Sequence, residues 1–525
     1  MNSNLRYKVF IPPFLLLIIA VISSSLNLTG FLAVTTIIND WILNTFDWLF
    51  SAGAFFMVVT CAVVFFSPLG KVTIGGKETK PLLTKWRWGS ITICTTTAAG
   101  MLFWATAEPL FHLYSPPVSL GITPSSKEAA EFALSTMYMH WTFTPFAIYA
   151  VPALSFALAF YNLSHRFSIS ASLQPVLGRH LSQNIGGVVD SISMFALVAG
   201  MASSLGTGAL VLSSGVSNLM GIDNGPMLLG LVIALIVISF VASSVSGLQK
   251  GIARLSALNT AIFVLIALVA FIFGPTQTII ANGVNAFANY ASEFVARSFS
   301  FHLSEGDDWA KSWTVFYWAN WLAWAPIVAL FLGKIARGHS VRAFIVVNMI
   351  IPACFSLIWM TIFSGMILEL DLNQNGLFYA ILNESGEGAV VFGLLEQLPA
   401  SNLLIGLFIC IAFLAYVTAA DSNTEAISCL CIDTHETEEK FNTQKSKFKI
   451  LWGSMIAVIA WFMTAFSGID GIKMMSNLGG LPALFVVITM NAALLVWIYQ
   501  SYTELQPSTR HIPPSPKKKR DFDHK

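Results

Sequence analysis

The chain has 525 residues, of which 55% are hydrophobic and only 10% are charged, and its formal net charge is +1. A soluble globular protein carries about a quarter charged residues. Because long apolar stretches recur along the whole length, the composition excludes a soluble protein with one anchor and predicts an all-α polytopic membrane protein. The near-neutral charge gives no reason to expect a nucleic-acid partner.

Twelve apolar segments in chain order predict twelve transmembrane helices. They lie at about 10–29, 44–67, 89–113, 132–161, 185–216, 226–246, 252–274, 312–335, 343–368, 402–430, 449–467 and 477–500. Between the seventh and eighth segments, the moderately apolar stretch 276–308 contains several Asn side chains, Glu293 and Arg297. This stretch predicts an amphipathic helix on the membrane surface.

The positive charges test this topology. With twelve spans and a cytoplasmic N-terminus, the Lys and Arg residues all fall on the cytoplasmic side, including the tail Lys517–Arg520, except Lys127, Arg297, Lys311 and Lys473. Such asymmetry is what the positive-inside rule expects. Both termini are therefore predicted to be cytoplasmic.

The sequence lacks the motifs of nucleotide-driven pumps and of common hydrolases. The sequence contains no G-x-x-x-x-G-K-[ST], no H-E-x-x-H and no G-x-S-x-G, so neither a P-loop pump nor a hydrolase is indicated. No enzyme activity and no organic cofactor are expected. Energy for transport would come from an ion or solute gradient, which favours a secondary transporter.

The eighth segment holds three tryptophans, Trp318, Trp321 and Trp324, each three residues from the next. At about 1.5 Å per residue they lie roughly 8–17 Å inward from Trp313, near the bilayer midplane rather than in an interfacial belt. Tryptophan faces attract cations, and a quaternary ammonium without N–H groups suits several of them. Pro326 is expected to open this helix locally, as substrate-binding helices often require.

A second aromatic group, HWTFTPFAIYA, lies in the fourth segment. Trp141 and Tyr149 are eight residues apart, about 80° apart on an ideal helical wheel, with Pro145 and Phe146 between them. These rings could supply a facing wall for the same cation. His140 is interpreted as an interfacial histidine without a functional role.

At these residues the chain resembles the betaine–choline–carnitine transporter (BCCT) family over roughly residues 10–505. The most specific part is WTVFYWANWLAWAPIVALFLGKIARGHSVR, Trp313 to Arg342. Further stretches that look like family motifs in the correct order are FWATAEPLFHL, HWTFTPFAIY, SSLGTGA, GLQKGIARLSALN and VTAADSNT.

The resemblance implies two inverted five-helix repeats of the LeuT-like fold, preceded by two extra helices. The expected divisions are an N-terminal tail with two peripheral helices, the first repeat, the surface helix, the second repeat and a short basic cytoplasmic tail, at 1–87, 88–275, 276–308, 309–501 and 502–525. It also implies a homotrimer in the bacterial inner membrane.

The resemblance further implies a binding site for a small onium solute near the bilayer midplane. The implied substrate contacts are Trp141, Phe146, Tyr149, Trp321 and Trp324. Phe316 and Trp318 are implied as gate or packing aromatics. Asn320 stands where the family often has tryptophan, and either a supporting or a substrate-recognising role is open.

Ion coupling is the least determined property. The stretch Thr95–Met101 has Gly100 as its only glycine, unlike the glycine-rich segment of many members. Residues implied in cation coupling, with sodium favoured, are Ser203, Ser204, Asn259 and Thr418. Proton coupling, with Glu108 and Asp421 as the candidate carboxylates, and sodium-independent exchange remain open.

The sequence-based hypothesis is therefore a secondary transporter that imports betaine, carnitine, choline or a sulfonium analogue by alternating access. A transport-inactive membrane osmosensor is the alternative from another class. Such a sensor would be expected to carry a long charged extension, whereas the stretch after about residue 501 has only some 25 residues.

Overall fold

A computed structural model of the chain describes residues 5–96, 98–165, 168–246, 249–300, 303–304, 306–432 and 438–503. The predicted basic tail Lys517–Arg520 and Thr97 lie outside these residues. Within them the fold is almost entirely helical. Within these ranges, β pairing is confined to two isolated bridges, Leu5 with Ile432 and Thr73 with Ser340.

The helices of the N-terminal half cover the first seven predicted spans. Their bounds are α1 Tyr7–Leu26, α2 Leu28–Phe66, α3 Lys85–Thr96, α4 Ala98–Tyr114, α5 Lys127–Trp141, α6 Phe143–Ala157, α7 Gln174–Leu177, α8 Arg179–Asn184, α9 Gly186–Met220, α10 Pro226–Ser246 and α11 Gln249–Phe273. A π-helical turn, Leu158–Asn162, extends α6. The third and fourth predicted spans are each built from two consecutive helices.

The helices of the C-terminal half cover the surface helix and the last five predicted spans. Their bounds are α12 Thr276–Ser292, α13 Phe294–Ser298, α14 Phe316–Ile335, α15 Val341–Ile345, α16 Ile351–Asn373, α17 Leu377–Ser385, α18 Val390–Glu396, α19 Ser401–Cys431 and α20 Glu438–Thr503. π-helical turns, Lys311–Val315 and Val346–Ile350, precede α14 and α16.

Two of these helices differ in form from the predicted segments. The predicted eleventh and twelfth spans both lie on α20, which breaks at Gly468 with φ 53° and ψ −133°, a conformation suited to glycine. The part of α11 from Ala261 to Phe273 meets α12 at 105°, so α12 crosses the end of α11 instead of continuing it. The buried residues of α12 are Ile279, Gly283, Ala286 and Tyr290, which share one helical face.

By length and composition, eight helices of the described residues are able to cross a membrane, or nine if the bent pair counts as one span. The prediction of a polytopic all-α membrane protein is therefore confirmed, while the count of twelve crossings stays a prediction. The centre of the molecule is α14, which packs against α6, α9 and α20. Glycines permit this close approach: a Cβ on Gly480 would lie 2.5 Å from the backbone oxygen of Ala319.

Candidate functional site

Four of the predicted aromatic residues meet around one indole ring. The ring centroid of Trp321 lies 5.5 Å from that of Trp141, 5.9 Å from Phe146 and 5.2 Å from Tyr149. All four side chains are buried. We call these four residues the Trp321 cluster. It joins α5, α6 and α14 in the middle of the helical bundle.

A break between α5 and α6 sets the positions of three of these rings. Ser126 caps the start of α5 by accepting from the N–H of Ala129 at 3.1 Å. Thr142 then leaves the helical region, with φ −114° and ψ −114°. Pro145 explains the break, because it lacks an N–H and its ring clashes with the carbonyl four residues earlier. Trp141 therefore ends α5, and the ideal-wheel angle of 80° to Tyr149 does not apply across Thr142.

The rings of the Trp321 cluster touch one another at steep angles. Their planes are inclined to Trp321 by 78° for Trp141, 59° for Phe146 and 68° for Tyr149. The contacts of Trp141 and Tyr149 with Trp321 are edge-to-face, a geometry that stabilises aromatic packing.

Trp324 faces another part of the protein. Among the described residues it has no ring contact with the Trp321 cluster, and it lines a small cavity together with Ser204, Phe240 and Ala419. Its indole packs where α9 carries Gly200, whose Cβ, if present, would lie 3.0 Å from Trp324 Nε1. The structure therefore brings four of the five predicted substrate contacts together and leaves Trp324 on the neighbouring α9–α19 side.

Phe316 and Trp318 lie beside the cluster rather than in it. The Phe316 ring is 5.7 Å from Trp104, and the ammonium of Lys473 lies 5.7 Å from its centroid. That ammonium is closer still to Trp313, at 3.6 Å. Trp318 is completely buried, and its indole N–H has no hydrogen-bond partner among the described residues.

Asn320 connects α14 to two other helices. Its Oδ1 accepts a hydrogen bond from Ser476 Oγ at 3.0 Å, and Ser476 Oγ lies 2.9 Å from Ser203 Oγ. The amide is thus engaged with side chains of α20 and α9. This arrangement gives Asn320 a bridging position outside the Trp321 cluster.

The other predicted coupling residues are distributed over three helices. Ser204 on α9 and Ala419 on α19 line the same cavity as Trp324. The hydroxyl of Thr418 bonds back to its own helix, 2.8 Å from the oxygen of Leu414. Asn259 on α11 is buried, and its Oδ1 has no partner among the described residues.

The two candidate carboxylates have different surroundings. Asp421 forms a buried ion pair with Lys449, whose Nζ lies 2.7 Å from Oδ1. Glu108 on α4 instead faces aromatic and imidazole groups. Its Oε1 lies 2.6 Å from His140 Nδ1 and 3.1 Å from His112 Nε2.

The second oxygen of Glu108 binds two aromatic side chains. The indole N–H of Trp141 donates to Oε2 at 2.8 Å, and the hydroxyl of Tyr317 donates to the same oxygen. Sequence reasoning assigned no role to His140, His112 or Tyr317. The spacing of four between Glu108 and His112 was a usable signal, because such a pair shares one helical face.

Gly100 is the point where α4 approaches the Trp321 cluster. A Cβ at this position would lie 2.9 Å from Cη2 of Trp141, closer than real side chains tolerate. The one glycine of the stretch 95–101 thus makes room for an indole of the cluster. The side chains of Thr95 and Thr97 lie outside the described residues.

Comparisons with known proteins identify the class. A solved structure of a Na⁺-coupled sialic acid symporter, in a substrate-bound outward-open state, superposes with a TM-score of 0.51 at 14% sequence identity, covering 84% of this chain and 86% of that one. The likeness confirms the LeuT-like helical fold. The sequence profile of BCCT, betaine/carnitine/choline family transporter, matches residues 8–503. The chain belongs to this family, as the resemblance predicted.

Curated relatives align over most of their lengths. The chain is 28% identical over 493 residues to the ectoine/hydroxyectoine transporter of Virgibacillus pantothenticus, covering 94% of this chain and 96% of that protein. It is 28% identical over 486 residues to the glycine betaine transporter OpuD of Bacillus subtilis (strain 168), covering 92% of each. It is 28% identical over 462 residues to the high-affinity choline transport protein of Escherichia coli (strain K12), covering 87% of this chain and 66% of that protein. These relatives are transporters, and the protein is an integral membrane transporter, not an enzyme.

Proposed function

We propose that this protein imports a small onium-type compatible solute by alternating access, with the Trp321 cluster as its central binding site. The observation that carries the proposal is the convergence of three rings on Trp321 at 5.2 to 5.9 Å, on helices from both expected repeats. Aromatic faces bind quaternary ammonium groups without hydrogen bonds. Helices of the two repeats moving apart and together would open and close this site.

The substrate is a cation or zwitterion whose positive charge is spread over a bulky group. Glycine betaine, choline and ectoine are the solutes named for the relatives. The phenyl ring at Phe146 binds a cation less strongly than an indole would. Trp141, Tyr149 and Trp321 are therefore proposed to contribute most of the attraction, and Trp324 to line the path on the α9–α19 side.

Sodium is proposed as the coupling ion. The solved neighbour of the same fold is Na⁺-coupled. Asn259 supports the proposal, because a buried carbonyl oxygen without a partner among the described residues is a suitable oxygen ligand. Ser204 and Thr418 lie on the two helices that approach each other at the Trp324 cavity, and they are proposed as further ligands.

Further proposals concern organisation. The five-helix units are proposed at 88–275 and 309–501, with 1–87 peripheral, 276–308 on the membrane surface and 502–525 as a cytoplasmic tail. The protein is proposed to reside in the bacterial inner membrane as a homotrimer with both termini in the cytoplasm. The distribution of Lys and Arg supports the orientation.

The test is uptake of labelled glycine betaine by cells that lack their own carriers of such solutes. Saturable uptake, with competition by choline, carnitine, ectoine or a sulfonium zwitterion, is the expected result. The competitor series identifies the preferred substrate. Replacement of sodium by potassium should abolish uptake. Unchanged uptake in potassium would contradict sodium coupling alone, and no saturable uptake of any of these solutes would contradict the proposed function.

A further inference from the structure

Glu108 is a buried carboxylate that none of the binding roles above explains. It is completely buried on α4. Four side chains surround its two oxygens: His112, His140, Trp141 and Tyr317. An ionised carboxylate only accepts hydrogen bonds, so each of these groups faces it with a hydrogen. We call Glu108 and its four partners the Glu108 network.

Two members of this network connect it directly to the Trp321 cluster. Trp141 belongs to both, and its indole N–H donates to Glu108 Oε2 at 2.8 Å. The backbone oxygen of His140 accepts from the indole N–H of Trp321 at 3.2 Å. Glu108 therefore orients Trp141 directly and Trp321 through His140.

The remaining contacts hold the network in one geometry. The imidazole of His140 stacks on the ring of Tyr317 at 4.5 Å and 21°. Its Nε2 lies 3.0 Å from Thr314 Oγ1. Because one imidazole nitrogen meets Glu108 and the other meets Thr314, the ring cannot rotate without losing both contacts. In this arrangement of the helices, the network links α4, α5 and α14.

We propose that Glu108 is a positioning residue that sets the substrate affinity of the Trp321 cluster without touching the substrate. This inference rests on the proposed function. Cation–π attraction depends on the ring face pointing at the cation. Without the hydrogen bond to Glu108, the indole of Trp141 could turn about its side-chain torsions. The ring faces of Trp141 and Trp321 would then lose their relative orientation.

The decisive variant is Glu108→Gln, which keeps the size of the side chain. A glutamine offers one acceptor oxygen and an NH₂ group, so it cannot accept from both pairs of donors. We expect the apparent dissociation constant for labelled glycine betaine, measured on the purified full-length transporter, to rise about tenfold, equivalent to about 1.4 kcal/mol. Tyr317→Phe removes a single hydroxyl and should raise the constant in the same direction.

Asp371→Asn is the matched control. Asp371 is a completely buried carboxylate on α16 that accepts from Tyr114 and from the backbone N–H groups of Phe378 and Tyr379. Among the residues that the structure describes, it shares no hydrogen-bond partner with the Trp321 cluster. A loss of thermal stability is expected for both carboxylate variants, whereas the dissociation constant should change by less than about twofold for Asp371→Asn.

A double-mutant cycle separates positioning from general destabilisation. If Glu108 acts through its aromatic partners, Glu108→Gln should raise the dissociation constant less in the Tyr317→Phe background than in the unaltered protein. Unchanged affinity in both single variants would overturn the inference. If the Glu108→Gln protein cannot be produced in cells, the dissociation constant of the Tyr317→Phe variant alone tests the inference. Absence of saturable binding to the unaltered protein would instead contradict the proposed function.

Discussion

The indole N–H of Trp321 on α14 donates to the backbone oxygen of His140 on α5, across 3.2 Å. His140 immediately precedes Trp141, whose ring packs against the ring of Trp321 at 5.5 Å. The two tryptophans are therefore held by a hydrogen bond and by ring contact at once. This pairing brings an indole of the first expected repeat against an indole of the second.

Replacement of Trp321 tests the cluster. Trp321→Ala should raise the apparent substrate constant about tenfold, because it removes the ring that the three others contact, with a loss of about 1–2 kcal/mol of cation–π attraction. Trp324→Ala should have a smaller effect on binding, since Trp324 lines the cavity on the α9–α19 side and not the Trp321 cluster. Both constants are to be measured by competition binding on purified protein.

Trp359→Ala is the control for loss of a buried indole. Trp359 packs on Phe363 at 4.5 Å and on Phe263 at 5.9 Å, among rings that do not include the cluster. It should lower thermal stability and leave the substrate constant unchanged. If Trp321→Ala behaves like Trp359→Ala, the cluster serves packing and not binding.

Gly100→Ala tests the approach of α4 to Trp141. The added Cβ would lie 2.9 Å from Trp141 Cη2, so the indole has to shift. We expect a substrate constant raised by about threefold to tenfold, because the displaced indole changes its orientation. Stability should fall as well, since overpacking typically costs about 1–3 kcal/mol of it. Gly89→Ala is the matched control, because a Cβ on Gly89 meets nothing within 4 Å. Equal affinities for the two variants would contradict the role of Gly100.

Asn320 is expected to contribute mainly to stability. Asn320→Ala removes the acceptor of Ser476 Oγ, and a net loss of about 1 kcal/mol is typical for such a hydrogen bond. Thermal unfolding of the purified protein measures this effect. Ser476→Ala should cost less in this background than in the unaltered protein, since the two changes share one hydrogen bond and the contact of Ser476 with Ser203 remains to be lost. A changed preference between choline and glycine betaine in Asn320→Ala would instead indicate direct substrate recognition.

Arg6 connects the N-terminal end of α9 to the C-terminal end of α19. Its guanidinium donates to Asp190 at 2.5 Å and to the oxygen of Leu430 at 3.1 Å, and its backbone N–H donates to the oxygen of Cys431 at 2.9 Å. Removing one partner of a buried ion pair costs about 3–5 kcal/mol. The cost should be smaller here, because the Arg6 side chain is 33% exposed.

We therefore expect Arg6→Gln to open this end and expose the thiol of Cys431, which is completely buried. The measurement is the rate at which a water-soluble maleimide labels Cys431, read by peptide mass spectrometry. Arg6→Lys keeps the charge and should retain most of the protection. Equal labelling in the unaltered protein and in Arg6→Gln would show that Arg6 does not close this end.

The sequence predicted the helical architecture and the Trp321 cluster but not the groups that orient it. Apolar length locates the helices, and the rings of HWTFTPFAIYA and YWANWLAW indicate a cation site, which stays a prediction. Steps of three residues turn each tryptophan about 60° from the last, so Trp321 and Trp324 face different neighbours. Which neighbours these are depends on packing. Glu108 and Tyr317 are 209 positions apart, and only the folded chain brings them together.

The most direct test of the central claim is solute accumulation by the purified protein in sealed proteoliposomes. With an inward sodium gradient, labelled glycine betaine should rise above its external concentration, and Trp321→Ala should reduce this accumulation at low solute concentration. Dissipating the gradient should return the internal concentration to equilibrium. No accumulation of glycine betaine, choline or ectoine under any ion gradient would contradict the account.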